Sequence, residues 1–215
     1  MPGVTGEAGS GLRERKKQRT RATLIDAAIE LYERQGFERT TVDQIAAIAD
    51  VSPRTFSRYF ATKEAVCLAL VDDAVELAAV ELSRQPAGLH HLVALCRSYV
   101  AMYRNTQTAR FGELTAPRLI CIIRIIMSSP TLRQAATEFR PHAVNVELAK
   151  RMGVGLGDRE LRLVATVWVS IVKAALADLG PATDWQSIGI DDLVSRLEAT
   201  FAQFTNLIAD VAAPV

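Results

Sequence analysis

Apolar residues recur three and four positions apart along most of this chain, and short polar stretches cut the pattern into segments. Leu24, Ala28, Leu31 and Tyr32 share one helical face, which predicts a first helix from near Leu12 to about Gln35. Gly36 supplies a left-handed stop, and Phe37 can fold back on the last turn. Thr41 and Gln44 then stand at capping-box spacing. Val42, Ile45, Ala46, Ile48 and Ala49 follow at helical intervals. Ala49-Asp50-Val51 breaks the pattern. Ser52 can cap the next helix, and Pro53 suits its first turn, where a missing N–H costs nothing. Phe56, Tyr59 and Phe60 share one face of that helix, and Arg54, Ser57 and Arg58 another. Thr62 caps a third helix, which runs to about Arg84 and stops before Pro86.

Downstream the pattern stays helical. A segment from His90 to Arg104 carries Leu92, Leu95, Cys96, Tyr99, Val100, Met102 and Tyr103, and Asn105–Thr108 reads as a loop. Leu119 to Met127 is apolar except for Arg124. Its β-branched content admits a strand, but no second strand is in sight to pair with it, so it reads as a buried helix. Another helix is expected from Thr131 to Arg151, kinked at Pro141. Gly153-Val154-Gly155-Leu156-Gly157 follows no strand and is therefore a connector, not a phosphate loop. Asp158 caps a helix from Arg159 to Leu179, and a last one runs from Asp191 to Ala209. The fold class expected is all-α.

Two short helices around a tight turn, the second with aromatics on one side and arginines on the other, form a helix-turn-helix pattern. An arginine fork matches the two acceptors on a guanine edge. The same pattern also fits a surface helix with two solvated arginines. The run LIDAAIELYERQGFERTTVDQIA, the turn ADVS, the segment SPRTFSRYF and the exit TKE together resemble the DNA-binding domain of the tetracycline-repressor (TetR) family of bacterial regulators. The likeness covers residues 18 to 66. Asp50 stands where the family usually has Gly, and Ser57 where it usually has Tyr; Asp tolerates the left-handed conformation better than most residues. The expected DNA-contacting set is Thr41, Ser52, Pro53, Arg54, Thr55, Ser57, Arg58, Tyr59 and Lys63. Arg54, Thr55 and Arg58 would read bases. Thr41, Ser52, Tyr59 and Lys63 would hold phosphate, although Thr41 and Ser52 could be caps only and Tyr59 core only.

Composition sharpens this in one place. The net charge is only +1, so global charge does not argue for nucleic acid. Between Arg13 and Arg21, however, six basic residues face one acid, which suits a phosphate-binding arm or a solvated tail. Apolar residues make up 49% of the 215, too many for a disordered chain. Cys67, Cys96 and Cys121 fit no zinc or redox spacing. His90, His91 and His142 suggest no metal site, and no nucleophile elbow appears. Neither a metal nor a cofactor is expected, and the chain does not read as an enzyme. With no apolar leader and no membrane-long apolar run, a cytoplasmic protein is expected.

Residues 1–11, small and polar, read as a disordered tail, and the resemblance implies a DNA-binding domain (12–64) and a helical ligand-binding and dimerisation domain (65–215). It also implies a homodimer through the last two helices, and a small-molecule effector inside the C-terminal bundle. The effector would be apolar or amphipathic, held by a pocket drawn from Cys96, Tyr99, Met102, Tyr103, Ile123, Met127, Phe139 and Trp168. Arg124 would anchor an anionic head, or else face solvent or pair with Glu113. The function expected is a ligand-responsive repressor of a palindromic DNA operator. A DNA-binding architectural protein without effector and an all-helical enzyme are the competing readings.

Overall fold

Helical periodicity is realised as ten α-helices, with no strand, among the residues that the computed structural model describes: 7–110, 113–137 and 142–212. The chain divides into two compact units, one up to Cys67 and one from Leu68 onward.

The first unit holds α1 (Glu7–Gln35), α2 (Val42–Ile48), α3 (Pro53–Tyr59) and the first turn of α4 (Lys63–Ser83). Leu24, Leu31 and Tyr32 of α1 are buried with Ile45 and Phe56. Full burial of one such side chain contributes about 1.5–3 kcal/mol. Gly36 has φ +84°, the left-handed stop the sequence calls for, and Phe37 returns to lie 5.3 Å from the Tyr32 ring. The Tyr32 hydroxyl donates to the Lys63 carbonyl at 3.0 Å, fastening α1 to the start of α4.

One expectation changes here. Residues 7–11, assigned to a disordered tail, are the opening turns of α1, while residues 1–6 lie outside the described ones. A nucleated helix extends at the cost of one residue per added bond. The basic run is consequently helical as well. From Gly11 to Arg19 α1 is exposed, and it becomes buried only at Leu24.

The second unit holds the rest of α4, then α5 (His91–Asn105), α6 (Ala116–Ser128), α7 (Pro130–Thr137), α8 (Ala143–Met152), α9 (Arg159–Ala175) and α10 (Ile190–Ala212). α10 packs on α5 and α9, and α8 and α5 also pack on α9. Leu82, Leu95, Leu148, Leu161, Leu193 and Leu197 fill the interior. The apolar run around Arg124 is helical (α6), as a chain without partner strands requires. The expected kinked helix over 131–151 is instead two helices, α7 and α8. His142 is extended (ψ 159°) and opens α8 afresh; Pro141 itself lies outside the described residues. Gly153, φ +70°, ends α8, and the Asp158 carboxylate accepts from Glu160 and Leu161 N–H to start α9.

Arg151 fixes the turn between α4 and α5. Its guanidinium donates to the carbonyls of Gln85 (3.1 Å), Ala87 (3.3 Å) and Leu89 (3.0 Å), and to that of Pro86. Among the described residues no single helix is long and apolar enough to cross a membrane, and no group of three metal-binding side chains gathers.

Candidate DNA-reading helix and ligand cavity

α3 is a seven-residue helix, about 10 Å long, and its two faces differ in kind. Phe56 and Phe60 are buried, with ring centroids 5.9 Å apart. Arg54, Ser57 and Arg58 are exposed. The turn before α3 forms because Asp50 takes φ +52°. Its N–H then reaches Ala47 O at 3.2 Å, and Val51 N–H reaches Ala46 O at 2.9 Å. Ser52 Oγ accepts from Thr55 N–H at 3.1 Å and shares a hydrogen bond with Thr55 Oγ1 at 2.9 Å. Pro53 follows at the start of the helix. On α2 the capping box is complete: Thr41 Oγ1 accepts from Gln44 N–H (3.3 Å), and Gln44 Oε1 accepts from Thr41 N–H (3.0 Å).

The other expected DNA-contacting residues are placed unevenly. Ser57 turns its hydroxyl back to Pro53 O at 3.1 Å. Thr55 and Tyr59 are half-buried. The Tyr59 hydroxyl is held below its ordinary pKa, first by a hydrogen bond with Arg58 and then by one with Thr20. Thr20 was not singled out in the sequence. Its signal is the helical interval that puts Lys17, Thr20 and Arg21 on one side of α1. Arg21 lies over the Phe60 ring at 5.8 Å, so the basic end of α1 and the end of α3 meet. Lys63 is drawn inward. Its ammonium donates to Phe37 O (2.9 Å) and Glu38 O (3.2 Å) and lies 4.4 Å from the centroid of the Phe37 ring. Two of its three donors are thus engaged within the fold.

In the second unit α4, α5, α6, α7 and α9 line a partly open cavity of about 340 Å³. Tyr99, Met102, Tyr103, Ile123, Met127 and Trp168, all expected on the ligand, line it. Cys96 is buried elsewhere, and burial pushes its thiol up to about 11. Arg124 is half-buried beside Cys121, its guanidinium 3.7 Å from Cys121 Sγ, and does not line the cavity. Glu113, its alternative partner, accepts instead from Arg110 N–H at 2.8 Å. Phe139 lies outside the described residues. The cations that do line the wall are Arg133 and Lys173. Lys173 was legible in principle, one turn after Val169 on the face of α9 that carries Trp168. α4 contributes Val71, Ala74 and Val75.

A second cavity, about 370 Å³, shares Val75, Tyr99, Ala136, Trp168, Val169 and Lys173 with the first and adds polar Asn145, Thr166 and Ser170. On the outside of α9 and α10 a shallow groove runs past Val167, Ala174, Phe204 and Leu207. Leu163 and Leu207 are 63% and 59% exposed.

Residues 24–70 match the family model described as bacterial regulatory proteins of the tetR family. The chain is 36% identical over 158 residues to the HTH-type transcriptional regulator TcmR of Streptomyces glaucescens, covering 70% of this chain and 68% of that protein. It is 28% identical over 90 residues to the A-factor receptor protein of Streptomyces griseus, covering 42% and 32% respectively. Among solved structures, Thermus thermophilus FadR, a TetR-family repressor crystallised with lauroyl-CoA, aligns with a TM-score of 0.48 at 23% identity, covering 84% of this chain and 93% of that one.

Proposed function

The chain belongs to the TetR family of bacterial regulators, and from that membership we propose that it is a cytoplasmic, effector-released repressor that binds a palindromic operator as a homodimer. Its broader character, a DNA-binding transcriptional regulator, follows from the family. The observation that carries the finer reading is α3 itself, two exposed arginines on a rod whose aromatic back is buried. Such a helix has a fixed orientation and a free cationic face, as major-groove readout requires. Arg54, Thr55 and Arg58 read base edges. Ser52, Pro53 and Ser57 lie along the backbone, and the amide groups at the start of α3 face phosphate. Thr41 approaches a neighbouring phosphate from the start of α2. Tyr59 presents a hydroxyl already polarised by Arg58. Lys63 contributes mainly by fixing the turn after α1.

Dimerisation uses the outer faces of α9 and α10, where Leu163, Leu207 and Ile208 are exposed. Pairing two helices from each copy makes a four-helix interface. The effector enters the cavity lined by Tyr99, Tyr103 and Trp168. α4 lines that cavity through Val71, Ala74 and Val75 and also begins in the DNA-binding unit. A ligand that prefers one position of α4 therefore biases how the DNA-binding unit is presented, by its differential affinity for the two states.

The test is selection of genomic fragments by the purified full-length chain, followed by anisotropy titration of the selected duplex and sedimentation of the free protein. We expect a two-fold symmetric site, affinity that falls steeply with salt, and a dimer. A selected site without two-fold symmetry, or a monomer at operator-binding concentrations, overturns the reading.

A further inference from the structure

The two adjoining cavities carry more chemical information than their size. Among the described residues neither is lined by an aspartate or glutamate, and Asp72, which pairs at 3.0 Å with His142 on the wall of the second cavity, is already engaged. Lys173 borders both, is exposed, and has no ion-pair partner among the described residues. The wall they share contains Trp168, only 2% exposed, whose indole N–H is buried without a hydrogen bond of normal geometry. A buried donor without an acceptor costs the desolvation of that group. Its ring stands edge-on to Tyr99, centroids 5.1 Å apart, and the indole N–H acts on the Tyr99 hydroxyl enough to offset part of that phenol's upward shift without satisfying the donor. Tyr99 and Tyr103 line the first cavity beside it. Burial pushes the Tyr99 phenol up to about 12, and pushes Tyr103 upward too, with Tyr99 adding to the second shift. Both therefore remain protonated donors at neutral pH. Three donors gather on one wall, and among the described residues that line it no carboxylate answers them.

We propose that the ligand of this cavity is a non-cationic hydrophobe bearing at least one hydrogen-bond-acceptor oxygen, which accepts from Trp168 Nε1 and from the Tyr99 and Tyr103 hydroxyls. The inference rests on the reading of this cavity as the effector site. The apolar body fills the chamber between α4, α5 and α6. The oxygen meets the Trp168 wall, and any negative charge on the ligand faces Lys173. Specificity lies in that wall, because a hydrocarbon of the same shape offers these donors no oxygen.

The experiment is calorimetric titration of the full-length protein with four naphthalenes of one shape: 2-acetonaphthone, 2-naphthoate, 2-isopropylnaphthalene and (2-naphthylmethyl)trimethylammonium. The ketone and the carboxylate are expected to bind about tenfold or more tightly than the hydrocarbon, and the quaternary amine least. Trp168→Phe is expected to keep the hydrocarbon's affinity and remove most of the ketone's advantage; retained hydrocarbon binding shows that the variant is folded. Equal binding of ketone and hydrocarbon, an advantage that survives Trp168→Phe, tightest binding by the cation, or no binding by any of the four overturns the proposal. Operator release is read in parallel. Ketone-selective binding without release supports the cavity chemistry and refutes the effector reading. Release by the probes without oxygen preference refutes the cavity chemistry and leaves the effector reading intact.

Discussion

Replacing Arg58 by alanine separates a base-reading residue from a merely cationic one. Arg58 is exposed on α3, and its local engagement is with Tyr59, whose ring centroid is 5.5 Å from the guanidinium carbon. Losing it removes no core contact, so the folded state should change by less than about 0.5 kcal/mol, as for other surface positions. On DNA a bidentate arginine–base contact is worth about 1–3 kcal/mol, or about 5–150-fold in affinity. A dimer presents the residue twice. If the half-sites act independently the loss doubles to about 2–6 kcal/mol, roughly 30-fold to more than 10⁴-fold. Arg58→Lys keeps the charge but not the planar fork, so it should retain the salt dependence and lose most of the base preference. The assay is anisotropy titration against the selected operator, against operators substituted one base pair at a time, and across a salt series, with urea melts as the folding control. The alanine variant should bind more weakly and stop discriminating at one base pair of each half-site. Weakening by the same factor on every duplex, with a shallower salt slope, would mark Arg58 as a phosphate contact and refute the assignment. Unchanged affinity and preference would remove it from the interface.

Three further outcomes follow from the geometry. Asp50 holds φ +52° with an exposed side chain, so Asp50→Val should cost about 1–2 kcal/mol while Asp50→Gly costs nothing measurable; urea melts that rank valine with glycine would contradict the left-handed turn. Arg151→Met leaves the carbonyls of Gln85, Ala87 and Leu89 without their common donor and should destabilise by about 2–3 kcal/mol, the scale of one or two charged hydrogen bonds. Arg151→Lys should recover only part of that loss. The His91 pKa lies below its ordinary value, chiefly through burial and then through Arg151 and His90. The unfolded chain therefore binds a proton that the folded one resists. His91 adds stability above about pH 6.5, and that stability is lost as pH falls through the depressed folded value. His91→Gln should flatten the acid side of a stability–pH curve, and an unchanged slope there would show that His91 titrates normally.

Local chemistry made much of this molecule legible in advance. A cap needs only residues three apart, so the Thr41–Gln44 box, the Ser52 cap and the Asp158 cap stand where spacing put them. Gly36 and Asp50 took left-handed backbone for reasons contained in their own side chains. The aromatic and arginine faces of α3 follow from 3.6-residue periodicity alone. The break at His142 was harder to see: proline can kink a helix or end it, and sequence does not say which.

Position across space belonged to the tertiary structure. Arg124 and Lys173 are both cations in apolar helices, but α6 turns Arg124 towards Cys121 while α9 brings Lys173 to the cavity. Lys63 looked free for phosphate until the return of Phe37 gave it two carbonyls. Thr20 reached Tyr59 only because the fold brings the basic part of α1 to the end of α3. Helical interval fixes which residues share a face, because neighbours a turn apart are set by backbone geometry. What lies opposite that face is set by packing between segments distant in the chain, and no local interval encodes it.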